Sequence, residues 1–390
     1  QSNESVSILP FTHTTFGQCD PVMTTSSGVE IQVVEEVDQQ EWDAGLSALP
    51  FARFEDSIQR QQSILDRWPD MRPRFLLAYA DGEVAGKLGF CRTYFGHDLA
   101  QADRRFSLLS PLLRRTMKTY DYPTTPLIYR KDLESEIING FLDTLEDLAK
   151  RERLYSVSHL RYPSPGLASV AGREAFLDRG YSIWTHGTYL IDLGIGEEGL
   201  WAGLKSGTRT AVRRSQKQGI EVRLGGVEDL ERYYDIIAEN RRRDQRQNIY
   251  RPIYAKERML PYLEFLITSG LSQMFCAGID GQVDSCTLVQ RFGRVASFGL
   301  HARSDSFHEA RLADGDALCW KMISWAAESG YGTFDMTGFD SVPQNDRQRG
   351  IRRFKSKWGG QMHEYDYYTK VHGKLRERAV QVAKRVLRRS

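Results

Sequence analysis

The stretch 330–368 holds the densest set of residues in this chain that could do chemistry. An apolar strand is predicted over 333–337, a loop rich in Gly, Pro and Asp follows, and a short basic helix comes next. Six cations fall within eleven residues of that helix: Arg347, Arg349, Arg352, Arg353, Lys355 and Lys357. Cations at this density favour an anionic ligand such as phosphate, and an ordinary basic surface helix is the alternative. Gly359 and Gly360 follow, and their free backbone angles suit the end of a helix.

A second basic helix is predicted over 208–218, with Gly219 at its end. Arg209 and Arg213 are four residues apart and therefore share one face of that helix. Together with Lys205 they could clasp a diphosphate, because a guanidinium fork matches two phosphate oxygens at once. A solvated helix flank is the alternative.

Positive charge lies in patches, although the chain as a whole is close to neutral. Its 390 residues carry a formal net charge of +2, with 41% hydrophobic and 27% charged residues. These are globular values, and the length suits two domains. Residues 205–217 contain five Lys/Arg and no acid, and 350–390 contain twelve Lys/Arg against three acids. Such patches indicate anion sites rather than attraction by the whole molecule.

The cysteines and the hydropathy pattern bear on the compartment. The chain has five cysteines and no CxxC pair, which argues against a disulfide framework or a zinc ribbon and favours a reducing compartment. No apolar run approaches the length that spans a bilayer, and no signal-peptide pattern is visible. We therefore expect a cytoplasmic protein with no metal site and no cofactor.

The predicted elements occur in the same order twice. In each half two helices precede a hairpin, and a strand, a long helix, a strand, a helix and a strand follow. The hairpin turns are Asp81-Gly82 and Asp280-Gly281, a pair of residues that favours tight turns. The repeat predicts a duplicated α/β unit. The expected parts are an N-terminal arm 1–28, a first domain 29–193, a second domain 194–371 and a basic C-terminal helix 372–390.

Four stretches resemble the FemAB family, whose members carry the Gcn5-related N-acetyltransferase (GNAT) fold twice. They are the join between the domains at 176–193, the basic helix and its leading Leu-Trp pair at 200–219, the strand 335–338, and 350–360, which is similar to the family's Gly…Phe-Lys…Gly signature. The resemblance implies an α/β fold of tandem GNAT-like domains with a cleft between them. The chain departs from the family where Trp358 replaces Phe and where no long coiled-coil arm is inserted.

The resemblance also implies a function. FemAB proteins move amino acids from aminoacyl-tRNA to the peptide of a cell-wall precursor. We therefore expect an aminoacyltransferase of peptidoglycan or cell-envelope synthesis, with aminoacyl-tRNA as donor and an anionic, phosphate-bearing precursor as acceptor. The matching lysine of the signature is Lys355, which we expect to lie at the active cleft, to carry little packing, and to stabilise the oxyanion of the tetrahedral intermediate. Asp335 is expected to orient the acceptor amine or accept its proton, and Arg352 and Phe339 to bind substrate.

Two other functions stay open at this point. An acyl-CoA N-acyltransferase acting on an envelope polysaccharide or a natural product is the main rival. It is disfavoured because acids stand where a GNAT loop would hold pyrophosphate, at 311–316 and again at 131–136. The third is a non-catalytic nucleic-acid-binding module. The tail 374–390 has an apolar stripe among seven Lys/Arg, which suits a peripheral contact with the inner face of a membrane or with tRNA. Packing of that tail on the last domain is the alternative.

Overall fold

A computed structural model gives the fold of the chain. It describes residues 23–24, 28–47, 49, 52–68, 70–97, 104–162, 171–247, 252–373 and 376–378. Most of the predicted N-terminal arm and most of the predicted C-terminal helix lie outside these residues. Within them, no helix is both long and apolar enough to cross a bilayer.

Helices and strands alternate along both halves of the chain. The helices are α1 (Gln39–Ser47), α2 (Ile58–Arg67), α3 (Arg104–Thr116), α4 (Glu134–Arg151), α5 (Ala171–Asp178), α6 (Gly196–Gly203), α7 (Ser206–Lys217), α8 (Leu230–Arg246), α9 (Lys256–Thr268), α10 (Asp305–Glu309), α11 (Asp314–Glu328) and α12 (Asp346–Ser356). The strands are β1 (Met23–Thr24), β2 (Glu30–Val34), β3 (Arg72–Ala80), β4 (Glu83–Tyr94), β5 (Lys118–Asp121), β6 (Leu127–Ile128), β7 (Ser156–Tyr162), β8 (Ser182–Asp192), β9 (Glu221–Gly225), β10 (Ser272–Ile279), β11 (Gln282–Phe292), β12 (Val295–Arg303), β13 (Thr333–Asp335), β14 (Phe339–Asp340) and β15 (Gln361–Val371).

The two predicted hairpins are confirmed and match each other closely. Asp81 and Gly82 have φ of 53° and 80°, and Asp280 and Gly281 have φ of 51° and 78°. Positive φ at both central residues is the signature of the tight turn that Asp-Gly favours. The strand register also shifts just before each turn, between Ala78 and Tyr79 in one hairpin and at the corresponding place in the other.

The strands join into one sheet through an exchange between the halves. The first half runs β2-β3-β4-β5-β7 and is continued by β15, and the second runs β9-β10-β11-β12-β13 and is continued by β8. Each half thus takes up the last strand of the other, and β8 and β15 pair at the centre over nine residue pairs. The duplicated fold is confirmed, but its two halves share a single sheet, which the order of elements did not predict.

Alternating side chains place a hydrophobic core on each face of this sheet. Val33 belongs to the core beneath α4, and its neighbour Val34 belongs to the core beneath α1. In the second half Met274 lies in the core beneath α8 and α9, and Phe275 lies in the core beneath α11. Helices therefore cover both faces, and α2 of the first half packs on α9 of the second.

Candidate functional site

The candidate site begins where two parallel strands separate. β12 and β13 pair only over Val295–Ser297 and Thr333–Asp335. Beyond Asp335 the chain turns towards β14, and Thr337 has φ of 59°. A β-branched residue in the left-handed region is unusual, and strained backbone of this kind clusters at functional sites.

Lys355 holds this strained turn in place. It projects from α12, whose first turn is capped by the Asn345 side chain, which accepts a hydrogen bond from the Gln348 amide at 2.9 Å. The Lys355 ammonium donates to the carbonyls of Thr337 and Gly338 at 3.1 and 3.0 Å and lies 3.2 Å from the Thr337 hydroxyl. Only 8% of Lys355 is exposed. The expectation that this side chain carries little packing is therefore wrong.

Burial also changes the acidity of this lysine. Removal of the ammonium from water lowers the pKa of Lys355 to about 8, and the negative charge of Asp335 opposes that shift. The side chain therefore stays mainly charged at neutral pH and loses its charge over a mildly alkaline range. The result is a fixed cation beside the separated strands.

Asp335 is fully buried and is hydrogen-bonded to the strained turn that follows it. Its Oδ1 accepts hydrogen bonds from the Thr188 hydroxyl at 2.5 Å and the Thr337 amide at 2.7 Å, and its Oδ2 pairs with Nη1 of Arg53 at 3.0 Å. These contacts tie together β8, the turn after β13, and the first half of the chain. Contact of Asp335 with an acceptor amine stays a prediction.

Arg53 contributes a buried cation from the first half. The residue is 5% exposed, and its Nε and Nη2 have no hydrogen-bond partner in the described residues. Its guanidinium lies 6.0 Å from the centre of the Tyr365 ring, and the Arg161 guanidinium lies 5.7 Å from the same ring. Two arginines from the first half therefore meet at an aromatic residue of β15 in the centre of the sheet.

His186 and Tyr365 are site residues that sequence reasoning missed. A Cβ placed on Gly338 would lie 2.5 Å from the Tyr365 hydroxyl and 3.5 Å from Nδ1 of His186, so only glycine fits between them and the turn. Burial lowers the pKa of His186, although Asp340, 3.9 Å from its Nε2, opposes the shift. The imidazole is therefore neutral at pH 7. The available signal was the alternation along β8, which puts His186 and Thr188 on one face.

Phe339 and Arg352 meet close to the turn, as a shared binding role requires. The Phe339 ring stacks on Tyr189 with centroids 5.1 Å apart, and the Arg352 guanidinium lies 5.9 Å from the Phe339 centroid. Arg352 also donates to the Ser341 carbonyl at 3.0 Å. Their contact with substrate stays a prediction.

Two of the three cations of the predicted phosphate clasp on α7 make separate contacts within the protein. Nη1 of Arg209 donates to carbonyls at the end of α6, including that of Ala202 at 3.0 Å, so this guanidinium caps a helix. Arg213 lies over the Trp201 ring at 5.6 Å, and Lys205 is exposed at the start of α7. The helix reaches the site region through Thr208, whose hydroxyl donates to the Lys357 carbonyl at 3.2 Å. Phosphate binding by the three cations stays a prediction.

The first turn of α11 is occupied by the protein's own charges. Asp314 is fully buried, accepts from the Ser285 hydroxyl at 2.7 Å and pairs with Arg303 at 3.1 Å. Asp316, in the same turn, pairs with Lys357. The carboxylates of the first turn therefore offset the positive end of the α11 dipole.

The class of protein follows from comparison with known families and structures. Residues 204–362 match the acetyltransferase (GNAT) domain family, which places an acyltransferase-type domain in the second half. The whole chain has a duplicated GNAT fold, the arrangement that the resemblance to FemAB proteins implied. No curated protein sequence matches the chain.

Two solved structures show the same fold over nearly the full chain. The structure of FemX is 15% identical, covers 85% of this chain and 96% of its own, and superposes with a TM-score of 0.62. A tandem GNAT protein from the clavulanic acid biosynthesis pathway is 13% identical, covers 88% of this chain and 99% of its own, and has a TM-score of 0.52. At these identities the likeness is one of fold.

Proposed function

We propose that this chain is an aminoacyltransferase that moves an aminoacyl group from aminoacyl-tRNA to an amine of a peptidoglycan or cell-envelope precursor. The observation that carries the proposal is the buried Lys355 cation, held at the separation of β12 and β13 by a strained turn. Acyl transfer from an activated ester needs positioning and a stabilised oxyanion more than it needs a covalent intermediate. A cation fixed in a buried site meets that need without moving.

The acidic turn of α11 supports tRNA over coenzyme A as donor. A GNAT site for coenzyme A offers the backbone amides at a helix N-terminus to the pyrophosphate. Here Asp314 and Asp316 lie in that turn and are already paired with cations. In the first half the corresponding helix α4 has Glu134 and Glu136 in its first turn. At both places carboxylates of the chain occupy the helix N-terminus where a pyrophosphate would bind.

The reaction would proceed by attack of the amine nitrogen on the ester carbonyl of the donor. The carbonyl oxygen becomes negative as the C–N bond forms, and Lys355 exchanges its contact with the Thr337 hydroxyl for that oxygen. Neutral His186 accepts the proton of the amine and passes it to the ribose oxygen as the C–O bond breaks. An amide and an uncharged tRNA result, and atoms and charge balance.

A second candidate is an N-acyltransferase that uses acyl-CoA. The family match favours it, because the family that residues 204–362 match is described as an acetyltransferase domain. The acceptor would again be an amine, on an envelope polysaccharide or a natural product. Lys355 would play the same part in both reactions, so the donor alone separates the two.

The rate of transfer should fall as the pH rises through about 8. The charged form of Lys355 stabilises the oxyanion, its pKa is lowered to about 8 by burial, and the useful form is therefore lost above that value. Turnover measured at saturating substrate from pH 6 to 10 tests this. In Lys355→Arg the cation persists to far higher pH, so the alkaline fall should disappear even if the overall rate is lower. An alkaline fall near pH 8 that persists in Lys355→Arg would assign the titration to another group.

Donor binding should show itself in the thermal stability of the protein. A ligand present at about 100 times its Kd stabilises the native state by about 2.7 kcal/mol. We expect an aminoacylated tRNA minihelix to raise the Tm and acetyl-CoA to leave it unchanged. Differential scanning fluorimetry with each donor, and with uncharged minihelix for reference, checks this. A rise with acetyl-CoA and none with the minihelix would favour the second candidate.

A further inference from the structure

Helix α3 turns apolar side chains away from the protein. Leu108, Leu109 and Leu112 are 76%, 50% and 59% exposed. Their i, i+1, i+4 spacing places them within an arc of about 100° on the helix surface. The helix contacts the fold along a neighbouring side, where Leu113 is half-buried, and Met117, just after the helix, is buried. Three neighbouring leucines on a solvent face are more than the scattered exposure normal for a globular protein.

A basic groove adjoins the end of this helix. It has a volume of about 510 Å³, and its lining residues include several basic side chains and no carboxylate. The basic residues are Arg115, Lys150, Arg153 and Arg376, and His372, whose pKa is lowered by burial, also lines the groove. Arg115 follows Leu108 by seven residues, two turns of helix, so it continues the leucine face towards the groove.

Hydrogen bonds to the backbone fix one of the basic side chains that line the groove. Arg376 donates to the carbonyls of Thr116 and Arg153 at 3.1 Å each and to that of Leu154 at 2.9 Å. These bonds join the end of α3, the turn after α4 and the segment after β15. Arg153 has φ of 54° in the turn after α4, and it lines the groove.

We propose that α3 and this groove form a docking surface for an anionic lipid bilayer. The leucines would enter the boundary between headgroups and acyl chains, and the arginines would bind the lipid phosphates beside them. A groove with basic and no acidic lining matches phosphate by charge. The basic groove alone would suit either an anionic bilayer or RNA. The exposed leucines favour the bilayer, because their burial among acyl chains stabilises binding and they add nothing to binding of an RNA backbone.

The surface also meets the C-terminal segment, for which a membrane contact was one of the predicted alternatives. Arg376 belongs to that segment and lines the groove, whereas residues 379–390 lie outside those described. The surface is independent of the acyl donor, and it lies at the far end of β15 from Lys355. Tyr365, beside the turn that Lys355 holds, lies six positions before Val371 in β15, a distance of about 20 Å along the strand. A docked protein would therefore hold its site near the headgroups and could receive an acceptor carried on a lipid.

The test is co-flotation of the full chain with vesicles of phosphatidylcholine alone and of phosphatidylcholine mixed with phosphatidylglycerol. We expect binding to the mixed vesicles, weakened by salt. Leu108→Ser/Leu112→Ser should weaken that binding about 100-fold, because each leucine loses its burial in the acyl region. Arg115→Gln/Arg153→Gln should weaken it about 25-fold, or about fivefold for each arginine.

Matched controls come from elsewhere on the surface. Leu177 on α5 is 50% exposed and Arg242 on α8 is exposed, so Leu177→Ser and Arg242→Gln should bind like the parent chain. Circular dichroism should show all these variants folded. The proposal is overturned if the parent chain binds neither vesicle or if the leucine variant binds as well as the parent. It is equally overturned if the arginine variant loses only tRNA binding, since that result would make the groove an RNA surface.

Discussion

Replacing Lys355 with methionine should lower the turnover of acyl transfer by about two orders of magnitude. Methionine fills much of the same space but carries no charge, so the oxyanion loses its fixed partner, and loss of one such group typically costs 10²–10³-fold in rate. KM should change far less than kcat, because the contact is made in the transition state. Steady-state kinetics of the purified variant gives both values.

The variant should also be less stable, because Lys355 is buried and bonded to the turn. The carbonyls of Thr337 and Gly338 lose their donor, which typically costs about 1–3 kcal/mol. Urea denaturation monitored by tryptophan fluorescence measures that loss. Assays must therefore be run where the variant is still folded.

Lys357→Met is the matched control for the same helix. Lys357 pairs with Asp316 and lies 4.7 Å from the Phe354 ring and 5.3 Å from the Trp358 ring, away from the strained turn. Its loss should change turnover severalfold at most. Small and equal effects at Lys355 and Lys357 would show that α12 is only a basic face, and the catalytic assignment would have to be withdrawn.

Replacing Arg53 with methionine should lower the free energy of unfolding by about 3–5 kcal/mol. The change leaves Asp335 as a fully buried carboxylate without its cation, and breaking a buried pair from one side typically costs that much. Because the pair joins residues from the two halves, the turn after β13 should loosen as well. Chemical denaturation gives the stability, and hydrogen exchange of the Thr337 amide reports the turn.

Two comparisons make this result specific. Arg130→Met removes an exposed cation that pairs with Asp132, and loss of such an exposed pair should leave the free energy of unfolding almost unchanged. Adding Asp335→Asn to Arg53→Met should recover part of the loss, since the orphaned charge is then gone. A loss below 1 kcal/mol for Arg53→Met, with no recovery in the double variant, would contradict the buried pair as a link between the halves.

The local features of the fold could be predicted from sequence because short-range rules determine them. The Asp-Gly turns at 81–82 and 280–281 need positive φ at adjacent residues, and few residue pairs supply it. The basic helix α7 ends at Lys217, and Gly219, just beyond its cap residue, has the φ of 73° that suits the end of a helix. The repeat of these local patterns predicted the duplication, and the family signature indicated Lys355 as a candidate site residue.

The contacts that complete the site could not be predicted, because they join distant parts of the chain. Arg53 and Asp335 are 282 residues apart, and neither has a local pattern that indicates the other. The exchange of β8 and β15 has the same character, since the alternation of side chains along a strand does not indicate which half it joins. Nothing in the sequence of β8 distinguished His186. It belongs to the candidate site only because Gly338 approaches it closely in the folded chain.

Transfer of label from donor to acceptor is the most direct test of the proposed function. The chain would be incubated separately with labelled aminoacyl-tRNA and with labelled acetyl-CoA, each with a pool of lipid-linked and nucleotide-linked envelope precursors. We predict that label from the tRNA appears in the precursors as an amide, that acetyl-CoA gives none, and that Lys355→Met abolishes most of the transfer. Label from acetyl-CoA alone, or binding of tRNA with no transfer from either donor, would contradict the account.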